Sequence, residues 1–140
     1  MPVLSSIRVL VVDDYEPFRR FVCSTLKKRQ ALEIVGEALD GLAAVHQAEE
    51  LQPDLILLDI ALPSMNGLQA AREILKLSRD SKIVFVSQES TPDVVQEAFN
   101  VGARGYVAKT KAASHLLAAV DVVLEGGRFV SSGLTICRPS

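Results

Sequence analysis

The chain is 140 residues long, 49% apolar and 23% charged, which suits one domain with a core that needs no disulfide staples and excludes a fibrous or low-complexity polymer. A formal net charge of −2 and a pI near 5.7 exclude broad, non-specific attraction to a nucleic-acid backbone. No apolar run reaches the roughly 18 to 20 residues of a membrane span, and Met1 to Ser6 lacks the basic start of a signal peptide, so a cytoplasmic protein is expected.

Ile7 to Val12 is a β-branched run that predicts a strand, ended by Asp13-Asp14. Pro17 stands where a first-turn proline is tolerated, and Phe18, Phe21, Val22 and Leu26 follow at helical spacing. Leu32 to Glu37 predicts a strand, Leu42 to Leu51 a helix, and Leu55 to Leu58 a fully apolar strand ended by Asp59. A helix then carries Leu68, Ala71, Ile74 and Leu75 on one face, followed by the strand Ile83 to Val86. Val94, Val95, Ala98 and Phe99 predict a further helix that Gly102 closes. Gly105 to Ala108 makes a last short strand, and Leu116, Leu117, Val120, Val123 and Leu124 line a final helix up to Gly126-Gly127.

Strict alternation of helices with strands too uniformly apolar to have a wet face predicts a doubly wound α/β fold with a five-stranded parallel sheet. The expected domain is 1–127, with 128–140 as a tail or linker remnant. Cys23 and Cys137 lack metal-ligand spacing and read as two reduced thiols, Cys23 being a small filler within the first helix. His46 and His115 fall in predicted helices without acid or serine partners at telling spacing, and read as structural or surface residues.

In such sheets ligands sit beyond the carboxyl ends of the strands. The polar residues there are Asp13 and Asp14 after the first strand, Asp59 after the third, Ser87 after the fourth and Lys109 after the fifth; the second offers nothing comparable. Three convergent carboxylates would repel by roughly 4 kcal/mol per pair at about 4 Å and an effective dielectric near 20. Lys109 and a hard divalent ion, Mg2+ or Mn2+, would neutralise them. A neutralised Asp59, held by the most apolar strand, then suits nucleophilic attack on phosphorus, with Lys109 and Ser87 stabilising the phosphoryl oxygens. Plainer roles compete with these: Asp13 and Asp14 as caps of the first helix, Ser87 as a loop hydroxyl on its own backbone, Tyr106 as a half-buried strand aromatic.

Leu10 to Asp14, Leu57 to Gly67, Val86-Ser87 and Gly102 to Lys109 together resemble the response-regulator receiver domains of two-component systems, over Ile7 to about Gly127. The resemblance implies that Asp59 is the phosphoacceptor for a histidine kinase, and that Asp13, Asp14, Asp59 and the Ala61 main-chain carbonyl hold the metal. It implies that Lys109 contacts the phosphoryl group, and that Ser87 and Tyr106 form a switch pair altering the face made by the fourth helix, fifth strand and fifth helix. Val94, Val95, Ala98 and Phe99 mix core-facing and solvent-facing apolar positions, so the fourth helix is expected to offer a self-association face for a phosphorylation-dependent homodimer. Catalysis is not expected beyond slow autodephosphorylation. Thr110 follows Lys109 where many members have proline, leaving the Lys109–Thr110 bond either trans or strained.

Gly105 to Thr110 and Glu125 to Val130 are most similar to receivers that precede a LuxR-type DNA-binding helix-turn-helix. Residues 126 to 140 are too few for that domain, so the expectation is a stand-alone receiver or a piece of a longer regulator that reaches DNA only through a missing output domain. An aspartyl-phosphate hydrolase is disfavoured because Ala61 stands where a second catalytic aspartate would be needed. A flavodoxin-type module is disfavoured because Asp13-Asp14-Tyr15-Glu16 would repel a phosphate. An inactive pseudo-receiver is disfavoured by the full set of charged positions.

Overall fold

A computed structural model describes residues 6–89 and 91–131. Its elements are β1 (Ile7–Val12), α1 (Glu16–Leu26), β2 (Leu32–Ala38), α2 (Gly41–Leu51), β3 (Leu55–Leu58), α3 (Gly67–Leu77), β4 (Lys82–Ser87), α4 (Pro92–Asn100), β5 (Gly105–Ala108), α5 (Ala112–Leu124) and β6 (Phe129–Val130). The strands form one parallel sheet in the order β2-β1-β3-β4-β5-β6, and the doubly wound α/β fold is as expected.

Because successive strand side chains point to opposite faces, the apolar strands need cover on both sides. Leu10, Val12, Ile56, Leu58, Ile83, Phe85 and Tyr106 face α2, α3 and α4, meeting Ala44, Ala48, Ala71, Ile74, Val95 and Ala98. Their neighbours Val9, Val11, Leu55, Leu57, Val84, Val86 and Val107 face α1 and α5, meeting Val22, Leu26, Leu116, Val120 and Val123. Asp40, Asn66 and Thr91 cap α2, α3 and α4 by accepting from the backbone N–H of Ala43, Gln69 and Val94. Gly102 takes φ +112° beyond α4, where Ala103 N–H returns to the Ala98 carbonyl, a left-handed stop that suits glycine.

The sheet differs from the expected five strands by one. Phe129–Val130, assigned to the tail from sequence, pairs parallel with Gly105 and Tyr106. Two apolar residues after Gly126-Gly127 are too short a run to register as a strand; the open edge of β5 recruits them. Among the described residues no peptide bond is cis, so Lys109–Thr110 runs trans, into a single 3₁₀ turn over Lys109–Lys111. No described helix is long and apolar enough to cross a membrane. Cys23 is free, while Cys137 lies outside the described residues.

Candidate functional site

Register decides which strand-end residues meet. Val12 pairs with Leu58 across β1 and β3, so Asp13 and Asp59, each one residue on, leave the sheet side by side. Asp59 N–H donates to the Val12 carbonyl at 3.1 Å, and Asp13 N–H to the Ala38 carbonyl at 3.1 Å, which extends the ladder one step beyond the strands. Asp13, Asp14 and Asp59 each offer an oxygen within 4.8 Å of the others'. Asp13 and Asp59 are buried, whereas Asp14 stands exposed at the mouth.

Lys109 crosses from β5 to bridge the two buried acids, its Nζ 2.9 Å from Asp13 Oδ2 and 3.0 Å from Asp59 Oδ2. The same Nζ lies 4.6 Å from the centre of the Phe18 ring, so α1 covers the ammonium with an aromatic face. Each acid spends its remaining oxygen on the backbone: Asp59 Oδ1 accepts from Ile60 N–H at 2.7 Å and Asp13 Oδ1 from Tyr15 N–H at 2.8 Å. Tyr15, not an aspartate, occupies the N-cap of α1, and no side chain caps it. Capping therefore does not account for the acidic pair.

Burial pushes the Asp59 carboxyl above the usual aspartate range, and the Asp13 charge adds to it, while Lys109 and Ile60 N–H pull the other way. Burial pulls Lys109 down, yet its bonds to Asp13 and Asp59 and their charges outweigh this and raise it. One lysine thus serves two buried carboxylates and leaves the three-acid cluster two negative charges in excess. That deficit, with a donor set made only of oxygens, fits a hard divalent cation such as magnesium. Asp14, Tyr15, Asp59, Ala61, Gln88 and Lys109 line a cleft of about 390 Å³ over the acids.

Ser87, the last residue of β4, and Tyr106, within β5, are both fully buried. Ser87 Oγ accepts from Glu89 N–H at 3.1 Å, the loop role considered for it from sequence, and Tyr106 Oη donates to the Glu89 carbonyl at 2.7 Å. Burial drives the Tyr106 phenol up to about 12, against a hydrogen bond with Ser87. The ring is wholly inside, 6.2 Å from that of Phe85, rather than half-buried. Every strand-end residue singled out from sequence thus lies at one end of the sheet. Phe18, Tyr15 and Gln88 were missed as site residues. Gln88 lies one residue past Ser87 and a wider strand-end window would have caught it, but nothing local marks Phe18 as other than a core aromatic.

A doubly wound sheet with an acidic trio and a bridging lysine at its carboxyl edge has the layout of a phosphoacceptor domain. Residues 9–121 match the family described as response regulator receiver domain, and the chain belongs to that family. It is 33% identical over 131 residues to the transcriptional regulatory protein DegU of Brevibacillus brevis, covering 94% of this chain and 56% of that one. It is 35% identical over 116 residues to the chemotaxis protein CheY of Thermotoga maritima, covering 83% and 96%. A crystal structure of a two-component response regulator of the LuxR family from Aurantimonas sp. SI85-9A1 superposes with a TM-score of 0.86 at 29% identity, covering 91% of each chain. The chain thus spans little more than half the length of DegU but nearly all of CheY.

Proposed function

We propose that Asp59 accepts a phosphoryl group from a phosphohistidine of a sensor histidine kinase. The observation that carries this is the convergence of Asp13, Asp14 and Asp59 within 4.8 Å around a site where Lys109 Nζ already touches two of them. An Asp59 oxygen attacks phosphorus in line, the P–N bond breaks, and the electron pair returns to the kinase imidazole. Lys109 meets the charge on the transferred oxygens, and Ser87, released from Glu89 N–H, donates to one of them. Asp13, Asp14, Asp59 and the Ala61 carbonyl are the residues that would hold Mg2+ or Mn2+, which when bound supplies charge neutralisation on the phosphoryl oxygens.

Ala61 brings no acid or base into the cleft, so hydrolysis of the acyl phosphate is slow and acts as a timer. Tyr106 follows Ser87 as the switch aromatic, and the face of α4, β5 and α5 carries the output, including a phosphorylation-dependent homodimer. The likeness to DegU and to a LuxR-family regulator supports control of transcription through a helix-turn-helix output domain outside these residues. A cytoplasmic location follows from the kinase partnership.

Intact mass after incubation with acetyl phosphate tests the acceptor. One magnesium-dependent phosphoryl adduct on the wild type, absent from Asp59→Asn, is expected; no adduct on folded wild type would overturn the proposal.

A further inference from the structure

β5 carries Tyr106 and is followed, one residue past its end, by Lys109, yet it is only four residues long. Its inner edge is paired with β4. Its outer edge depends on residues 129–131. Phe129 N–H donates to the Arg104 carbonyl at 3.1 Å and Ser131 N–H to the Tyr106 carbonyl at 2.9 Å. The next outward-facing group is Ala108 N–H, where the ladder ends, and a side chain takes over: Ser131 Oγ accepts from it at 3.0 Å. Ser131 is 1% exposed, and its hydroxyl also lies 3.2 Å from His115 Nδ1 on α5. The His115 ring meets Phe129 edge-on, with centroids 5.7 Å apart. One serine therefore brackets β5 from Tyr106 to Ala108 and ties it to α5.

We propose that Ser131 is a positioning residue for phosphoryl transfer, acting through Lys109. The Ala108 N–H it holds is adjacent in the chain to Lys109, whose ammonium must stay within about 3 Å of the oxygens it serves. A backbone N–H buried without an acceptor is expensive; without the Ser131 hydroxyl, Ala108 turns toward another partner and Lys109 turns with it. Loss of the hydroxyl therefore acts on the phosphoryl step while leaving the acids of β1 and β3 where they are. His115 Nδ1 is the second polar partner of the same hydroxyl. The proposal rests on Asp59 being the acceptor and Lys109 its phosphoryl contact.

The test measures the initial rate of adduct formation by intact mass, on the 140-residue chain with acetyl phosphate and saturating magnesium, for wild type, S131A and S131T. Circular dichroism melts accompany each variant. S131A is expected to lower the rate about fivefold, the factor one neutral hydrogen bond makes in a rate, and S131T, which keeps the hydroxyl, to restore it. The S131A effect should vanish in a Lys109→Ala background, because a residue acting through Lys109 has nothing left to position. A folded S131A at the wild-type rate, or the same fractional loss with Lys109 absent, overturns the proposal while the acceptor assignment stands. No adduct on wild type overturns both. Should S131A fail to fold, H115F removes only the second bond to the hydroxyl and is expected to slow the reaction in the same sense; a wild-type rate there overturns the proposal.

Discussion

Asp59 is held in a state its surroundings oppose. Its carboxyl is raised by burial first and by Asp13 second, so the folded state binds its proton more tightly than the unfolded chain does. The stability linked to this group is fully present below the unfolded aspartate pKa and is lost as pH rises through the folded value. At neutral pH the ionised side chain is a net strain on the metal-free fold. Asp59→Asn should therefore raise the metal-free melting temperature. The gain should shrink as the pH is lowered toward about 4. Calorimetry in EDTA across that range checks both, and an equal or lower melting temperature at pH 7 counts against the account.

Lys109 shares the direction of the pH linkage, but here it is the charged form that the fold favours. Its two carboxylate partners overcome burial and raise it, so its contribution is present at neutral pH and lost as pH climbs through its folded value. Lys109→Met leaves two buried acids side by side and should lower the metal-free melting temperature, while magnesium recovers more of it than in wild type. A melt with and without MgCl2 reads this directly, and equal recovery in both proteins would contradict the shared-site geometry.

Among the elements, α3 is the one whose placement bears most closely on the acceptor. A Cβ on Gly67 would lie 2.0 Å from the Asp59 carbonyl oxygen, and Gly67 N–H donates to the Ile60 carbonyl at 2.7 Å. Helix α3 thus starts against the backbone that aims Asp59, and only a residue without a side chain allows that approach. Gly67→Ala should destabilise the domain by about 2 kcal/mol, in the range of overpacked sites, and slow Asp59 phosphorylation more than the loss of folded protein explains. Chemical denaturation beside the rate of adduct formation separates the two. By contrast, Asn66, which caps the same helix from its exposed side, should cost about 1 kcal/mol as Asn66→Ala without an effect on the rate.

For the molecule as a whole, Tyr106 Oη and Ser87 Oγ both bond the backbone of Glu89, in the loop before α4, so β4, β5 and that loop meet at one residue. If the face of α4, β5 and α5 serves as a dimer interface, sedimentation velocity should show a faster species only after phosphorylation. Unchanged sedimentation of fully phosphorylated protein removes the dimer from the proposed mechanism.

The fold class and the strand-end residues were legible in the sequence because both rest on short-range rules. Uniformly apolar runs such as Leu55 to Leu58 separated by helical periodicity dictate a covered parallel sheet, and the chemistry of that sheet lies one residue beyond each run. Asp13, Asp59, Ser87 and Lys109 were found in that way. Tertiary structure alone decided what depends on register and on partners distant in the chain. Val12 opposite Leu58 makes Asp13 and Asp59 neighbours, Phe18 from α1 comes to lie over Lys109, and Gly67 lets α3 approach the Asp59 carbonyl. The sixth strand is of the same kind. Phe129 and Val130 have too little local preference to declare a strand, and become one because β5 leaves an edge of unpaired backbone groups that the end of α5 delivers them to.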